Sequence, residues 1–171
     1  MTGVLAITAG CTDWRWRRIP NWLTVSGAGL GLALNFWIAG WAGARASLLG
    51  MALGMALLLP FVLVRSLGAG DWKLMGALGA CLGPEALLEV LLGTLFVAGL
   101  MALALILWKK RLRQTLRNLG RMLAALFTLH LPGPELSLDN PQSLKVPFGV
   151  AVAVTVVLDI VRQAWGAPWL S

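Results

Sequence analysis

Charge is scarce in this chain. Only 12% of its 171 residues are Asp, Glu, Lys or Arg, where a soluble domain carries about a quarter. With 58% of residues in the hydrophobic set and a mean hydropathy of +0.80, the composition excludes an ordinary soluble domain and indicates a membrane protein. Histidine is nearly absent: His130 stands alone, at the end of the basic stretch that begins at Lys109, so neither a serine triad nor a histidine-rich metal site can be assembled convincingly. Two cysteines, Cys11 and Cys81, are too few for a disulfide framework and are read as small packing residues in apolar surroundings. No repeat, low-complexity segment or second soluble domain interrupts the pattern, so residues 1–171 are read as a single membrane-embedded domain.

Long uncharged runs are abundant. Between Arg45 and Arg65, and again between Glu89 and Lys109, 19 residues pass without a charge; at a helical rise of about 1.5 Å each run spans roughly 30 Å, the thickness of the hydrocarbon. Ile19 to Ala44 is also uncharged, and Met1–Thr12, Leu74–Gly83 and Val146–Leu158 are shorter apolar stretches. Met1–Thr12 has its positive charge after the apolar run and no clean small-residue cleavage site, so it reads as a retained first helix. The expected fold class is all-α: a polytopic membrane protein with about six transmembrane helices, over 1–13, 22–40, 46–65, 71–83, 86–108 and 146–163.

Orientation follows from where the net charge of +7 lies. With the N-terminus outside, 12 of the 14 basic residues fall on the cytoplasmic side, leaving Arg45 and Arg162 outside, as the positive-inside rule requires. Trp14, Trp16, Trp22, Trp72 and Trp108 then mark one interface and Trp37, Trp41, Trp165 and Trp169 the other. Ile19-Pro20-Asn21 breaks the chain before helix two, with Asn21 placed to cap it. Gly83-Pro84-Glu85 reads as a turn with Pro84 at a first helical position. Gly27/Gly31, Gly50/Gly54 and Gly79/Gly83 have the spacing that lets helices approach closely in lipid. From Lys109 to about Leu131, leucines on one face and Arg113, Arg117 and Arg121 on another predict a cytoplasmic interfacial amphipathic helix. Anionic lipid accounts for that basic face without nucleic acid.

Seven acids remain. Glu85 and Glu89 belong to an outer helix start, Glu135 and Asp139 to a polar loop, and Asp159 has Arg162 three residues on. Asp13 and Asp71 differ, because each ends an apolar segment and the topology brings both to the same membrane surface. A carboxylate at membrane depth marks a functional site. Two adjacent carboxyls share a proton and titrate as a pair, one acting as base toward water and the other as acid toward a carbonyl. Gly68 and Gly70 would allow a tight turn and close approach of an extended peptide; Lys73 either tunes the pair or anchors at the interface. The structural alternatives are an N-cap role for Asp71 and a surface charge beside Arg15, Arg17 and Arg18 for Asp13. Gly68-Ala69-Gly70-Asp71-Trp72-Lys73 lacks the glycine spacing and Lys-Ser/Thr ending of a P-loop.

Two segments together carry a resemblance. Thr12-Asp13-Trp14-Arg15-Trp16-Arg17-Arg18-Ile19-Pro20-Asn21-Trp22-Leu23-Thr24 resembles the Asp-x(4)-Arg-Ile-Pro-Asn-x-Leu-Thr segment of the aspartic prepilin peptidases. Gly68-Ala69-Gly70-Asp71-Trp72-Lys73-Leu74 resembles their GxGD-x-K-Leu signature, 58 residues further on. Lys145-Val146-Pro147-Phe148-Gly149 is similar to the Pro-Phe-Gly that opens their last helix, so the likeness covers nearly the whole chain in order. It implies a polytopic inner-membrane endopeptidase, active at the cytoplasmic face, that removes the basic leader of type IV prepilins or pseudopilins. Asp13 and Asp71 are then the catalytic pair, and Gly68, Gly70, Lys73, Pro20, Asn21 and Pro147 support the site. The partners implied are the prepilin and membrane lipid, with no nucleic acid, no cofactor and no metal; no oligomeric state is implied.

The chain departs from the long members of that family in having no Cys-x-x-Cys pairs, so it is similar to the short, peptidase-only form of tight-adherence (Flp-type) systems, with no methyltransferase activity expected. The presenilin kind shares GxGD, but its Tyr-Asp partner motif is missing, because Thr12 precedes Asp13. Two readings from other classes stay open on the residues alone: a small proton- or cation-coupled transporter, and a non-catalytic pilus or secretion assembly scaffold.

Overall fold

A computed structural model describes residues 1–63, 67–108 and 147–166. Among them the chain is all-helical with no strand, in four elements: α1 (Thr2–Trp16), α2 (Asn21–Leu63), α3 (Ala69–Trp108) and α4 (Phe148–Ala164). The expected interfacial helix over 109–131, the polar loop at 135–145, His130, Arg65 and Trp169 lie outside the described residues.

Helices α2 and α3, at 43 and 40 residues, are each long and apolar enough to cross a membrane. A straight helix of that length would measure about 60 Å or more, twice the hydrocarbon thickness. Neither is straight. Gly40 (φ 58°, ψ −139°) breaks α2 and Gly83 (φ 78°, ψ 177°) breaks α3, conformations that an L side chain resists. At Gly40 the chain folds back on itself: Asn35 Nδ2 donates to Ser47 Oγ at 2.8 Å, although twelve helical residues would otherwise separate them by about 18 Å. The two breaks yield arms over 21–39, 41–63, 69–82 and 84–108. With α1 and α4 they make six helical stretches close to the expected boundaries. The five-residue loop expected at 41–45 is absent, since one left-handed glycine makes the reversal and Arg45 remains helical. Pro84 follows Gly83 directly, where its missing N–H costs the new helix nothing.

Missing donors do have a cost one turn earlier. The Ala80 carbonyl would be paired with the N–H of residue 84, which proline lacks. Asn35 Nδ2 supplies the donor, at 3.0 Å from Ala80 O and 3.2 Å from Cys81 O. This polar knot, joined to the fully buried Ser47, ties together the two arms of α2 and the first arm of α3 where all three end.

The core centres on α3. Leu74 through Ala80 are seven consecutive buried residues, so this arm is enclosed on every side instead of along one stripe. Gly50 and Gly79 make the enclosure tight: a Cβ on either would fall on the other's carbonyl oxygen. Trp72 Nε1 donates to Met55 O at 2.7 Å, holding the same antiparallel pair. Trp72 is therefore half-buried against the core cluster and not a free member of the aromatic belt, because a buried indole N–H seeks an acceptor. Trp37, Trp108 and Trp165 are exposed, as a belt requires. On the other flank α4 runs antiparallel to α1 and to the second arm of α3, where Gly93 meets Thr155 and Arg162 bridges Glu89 (3.2 Å) and Asp159 (3.0 Å). Outward surfaces stay apolar, with Val25, Leu30, Ile38, Leu92 and Phe96 exposed.

Replacing Asn35 with Leu takes the donor from two part-buried carbonyls and from Ser47 Oγ, so stability of the detergent-solubilised protein should fall by about 1–3 kcal/mol. Thermal unfolding checks this; an unchanged melting temperature would contradict the account of the polar knot.

Candidate active site

Helix α1 does not stop at Asp13 as the sequence pattern suggested. It continues one turn to Trp16 and ends on Arg17 in the left-handed region (φ 49°, ψ 36°), whose N–H bonds Asp13 O at 2.9 Å. Asp13 thus sits inside the last helical turn and is buried, with 8% of its surface exposed. Its side chain faces the start of α4: the Gly149 N–H donates to Asp13 Oδ2 at 2.8 Å, and the Val150 N–H also faces the carboxylate. The surface-charge alternative for Asp13 fails on this burial, although the Arg17 charge acts on it from the same helix.

Asp71 lies in the first turn of α3. The Trp72 N–H bonds Gly68 O at 3.2 Å, so Gly68 occupies the cap position and Asp71 is third in the helix. Its carboxylate reaches back to the Gly68 N–H, the reciprocal half of a capping box. An Asp71 N-cap is thereby corrected to a third-position contact. A Cβ on Gly68 would lie 3.1 Å from Asp71 Oδ2, so the glycine leaves the carboxyl room. The two carboxyl groups are close enough to act on each other electrostatically, which couples the ends of helices far apart in sequence.

The segment between α1 and α2 docks on the same turn. A Cβ on Gly70 would lie 3.3 Å from Ile19 Cβ, so the glycine and the isoleucine are in close contact and Ile19 is buried. Lys73 Nζ donates to Asn21 Oδ1 at 3.0 Å. Asn21 was expected to cap α2; its side-chain oxygen instead receives the lysine, and the Pro20 carbonyl accepts from Leu23 N (3.1 Å) and Thr24 N (3.5 Å) to open the helix. Lys73 accordingly holds one motif against the other. Pro147 is the N-cap residue of α4, extended at φ −71°, ψ 94°, with no side-chain cap of its own.

Sequence reasoning brought forward Asp13, Asp71, Gly68, Gly70, Lys73, Pro20, Asn21 and Pro147, and the structure places all eight at four helix ends: the end of α1 and the starts of α2, α3 and α4. It missed Gly149, the residue that touches Asp13, although Pro-Phe-Gly had marked the start of α4; the resemblance directed attention to the proline. It also missed Ile19 as the lid on Gly70. Beside the seam an apolar groove of about 700 Å³ runs between α1 and α4, lined by Ile7, Gly10, Cys11, Val150 and Val154 among others. Among the described residues no three of His, Cys, Asp and Glu come together as a metal site. Cys11 and Cys81 are both free thiols.

Two carboxyls at one end of a helical bundle, each held by main-chain N–H groups, could divide a proton between them and so activate a water toward an amide if they meet. Against known proteins, the sequence profile described as the type IV leader peptidase family matches residues 1–107. That range contains α1, α2 and nearly all of α3, hence both aspartates, and ends before α4. No curated protein and no solved structure matches the chain.

If the Lys73–Asn21 bond helps join the two motifs, a double-mutant cycle with Lys73→Met and Asn21→Ala should give a coupling of about 0.5–1 kcal/mol in thermal stability, small because the pair is solvent-exposed. Strict additivity would remove the bridge.

Proposed function

This chain belongs to the type IV leader peptidase family, a family of membrane-embedded peptidases, and from that premise we propose that it is a multi-pass aspartic endopeptidase of the bacterial inner membrane that cleaves the leader from type IV prepilins or pseudopilins at the cytoplasmic face. The observation that carries the reading is the family match over residues 1–107, which contains both aspartates, supported by the docking of Ile19, just beyond α1, on Gly70 beside Asp71, which puts the two acidic motifs at one end of the bundle.

In the proposed reaction the ionised carboxyl takes a proton from water as the water oxygen bonds to the scissile carbonyl carbon. The protonated carboxyl gives its proton to the carbonyl oxygen, and the tetrahedral intermediate collapses as a proton passes to the departing amide nitrogen. The charge pattern supports the side assigned. Arg15, Arg17 and Arg18 follow Asp13 directly, and Lys73 follows Asp71 by two residues, so the dyad end of the bundle is the basic and therefore cytoplasmic end. Six helical stretches, four of them arms of glycine-broken hairpins, support six crossings, with the N-terminus outside. A basic leader then stays in water while the apolar helix behind it lies in the bilayer, and the groove between α1 and α4 gives an apolar helix a side approach at the level of Asp13. The absence of Cys-x-x-Cys from the sequence supports a peptidase-only enzyme.

Asp13→Asn and Asp71→Asn should each lower the cleavage rate of a purified prepilin by at least about 10²–10⁴-fold, the usual worth of one acid–base group, while leaving the protein in the membrane. Immunoblotting of prepilin against mature pilin reads the outcome. The wild-type rate should follow a bell-shaped pH profile, since both the fully ionised and the fully protonated pair are inactive. Intact processing in either variant would remove the dyad and leave the acids to proton or cation transport.

A further inference from the structure

We infer that Gly149 is a positioning residue for the proposed dyad: its main-chain N–H and its missing Cβ together set where the Asp13 carboxyl stands. The inference rests on the peptidase reading and extends the site to α4, beyond the residues matched to the family.

The argument begins with the unpaired amides of a helix start. The first four N–H groups of any helix lack acceptors within it, and α4 begins after Pro147, which offers no side-chain cap. The acceptor comes instead from another helix, as Asp13 Oδ2 takes the Gly149 N–H at 2.8 Å and the Val150 N–H adds a second donor. Asp13 therefore caps α4 in trans, and α4 fixes the side-chain torsions of Asp13. Neither partner can move alone.

Space makes the arrangement specific to glycine. A Cβ at residue 149 would lie 2.9 Å from Asp13 Cβ, 3.2 Å from its Cγ and 3.1 Å from Oδ2. These are the stem and the head of the carboxyl, and the stem is fixed to α1, so relief must come from moving the carboxyl or parting the helices. The seam resists parting, because Gly10 meets Ala153 and the Gly149 carbonyl on the same line. Among the described residues the charged group that acts on Asp13 is Arg17, the cap of its own helix, while Asp13 in turn acts on Asp71 of α3. Within α4 no charged residue precedes Asp159, so main-chain dipoles are what this element contributes.

Gly149→Ala tests the inference against Gly3→Ala, a change in the same α1–α4 seam that meets only the flexible end of Ile160. For a synthetic prepilin peptide spanning the cleavage junction, kcat should fall at least tenfold in Gly149→Ala with KM within twofold, and Gly3→Ala should match wild type. A purely structural role would lower the amount of active enzyme and the melting temperature without changing kcat per active site, and that outcome overturns the inference. Full kcat in Gly149→Ala alongside dead Asp13→Asn overturns it while the dyad stands. Active Asp13→Asn instead brings down the peptidase reading itself. Should Gly149→Ala not accumulate, hydrogen exchange decides: the Gly149 amide should be protected in wild type and exchange at least tenfold faster in Asp13→Ala, and unchanged exchange overturns the trans cap.

Discussion

The structure depends on one close approach of backbones. Gly50 and Gly79 bring the second arm of α2 and the first arm of α3 together with main chain on main chain, and between lipid-facing helices such packing is a principal source of association, since apolar side chains gain little by leaving lipid for protein. With that contact made, Leu74 to Ala80 are enclosed, and the arm that begins at Asp71 becomes the fixed axis of the bundle. Any side chain at either glycine would separate the arms by the width of a methyl group or more. The Trp72 bond to Met55 and the Gly54 contact with Met75 lie on the same seam and would go with it. Pro60, within the second arm of α2, removes the donor for the Ala56 carbonyl and loosens that turn, next to the Met55 carbonyl that takes the indole.

Much of this was legible in the sequence because the bilayer restricts the choices. Uncharged run lengths and turn residues placed helix bounds close to those of the described residues; the number of membrane crossings is a separate matter. The breaks at Gly40 and Gly83 fell within a residue or two of the expected helix ends, since no other residue there tolerates a left-handed φ. Three-dimensional partnerships were less legible. Nothing local to Asn35 indicates that it replaces the donor Pro84 cannot supply 49 residues later. Trp72 reads as a belt residue by position, and only the proximity of Met55 makes its indole a clamp. Asn21 beside a helix start reads as a cap, and only the packing of α3 against α2 offers it a lysine instead. Each of these is a tertiary contact displacing a local preference.

The candidate site shows the same hierarchy. A carboxyl at the edge of the hydrocarbon loses hydration that must be replaced by donors, and here the donors are backbone amides at helix starts: Gly68 for Asp71, Gly149 and Val150 for Asp13. Such donors are fixed by the helices that carry them. Unlike arginine or lysine partners, they hold no full charge that would commit the carboxylate to one ionisation state. On the proposed reading that distinction bears on function, because a dyad needs one member free to take a proton and the other free to give one. Lys73 is directed to Asn21 and so is kept occupied.

The positions of the motifs along the chain then follow from geometry. A proton-sharing pair needs two carboxyls from elements whose ends meet at one surface, and a single membrane helix reaches that surface only once. On the proposed reading Asp13 supplies its carboxyl from the last turn of α1 and Asp71 from the first turn of α3. Between them the α2 hairpin runs out and back with one glycine turn at Gly40. Most of the 58-residue separation of the two acidic motifs is the 43-residue contour of that hairpin. Ile19 against Gly70 and Asn21 bonded to Lys73 fasten its near end to the GxGD turn, so that the first and third elements meet even though they are not consecutive. The last helix enters from further along the chain, and its amino end can reach Asp13 only because residue 149 has no side chain to stand in the way.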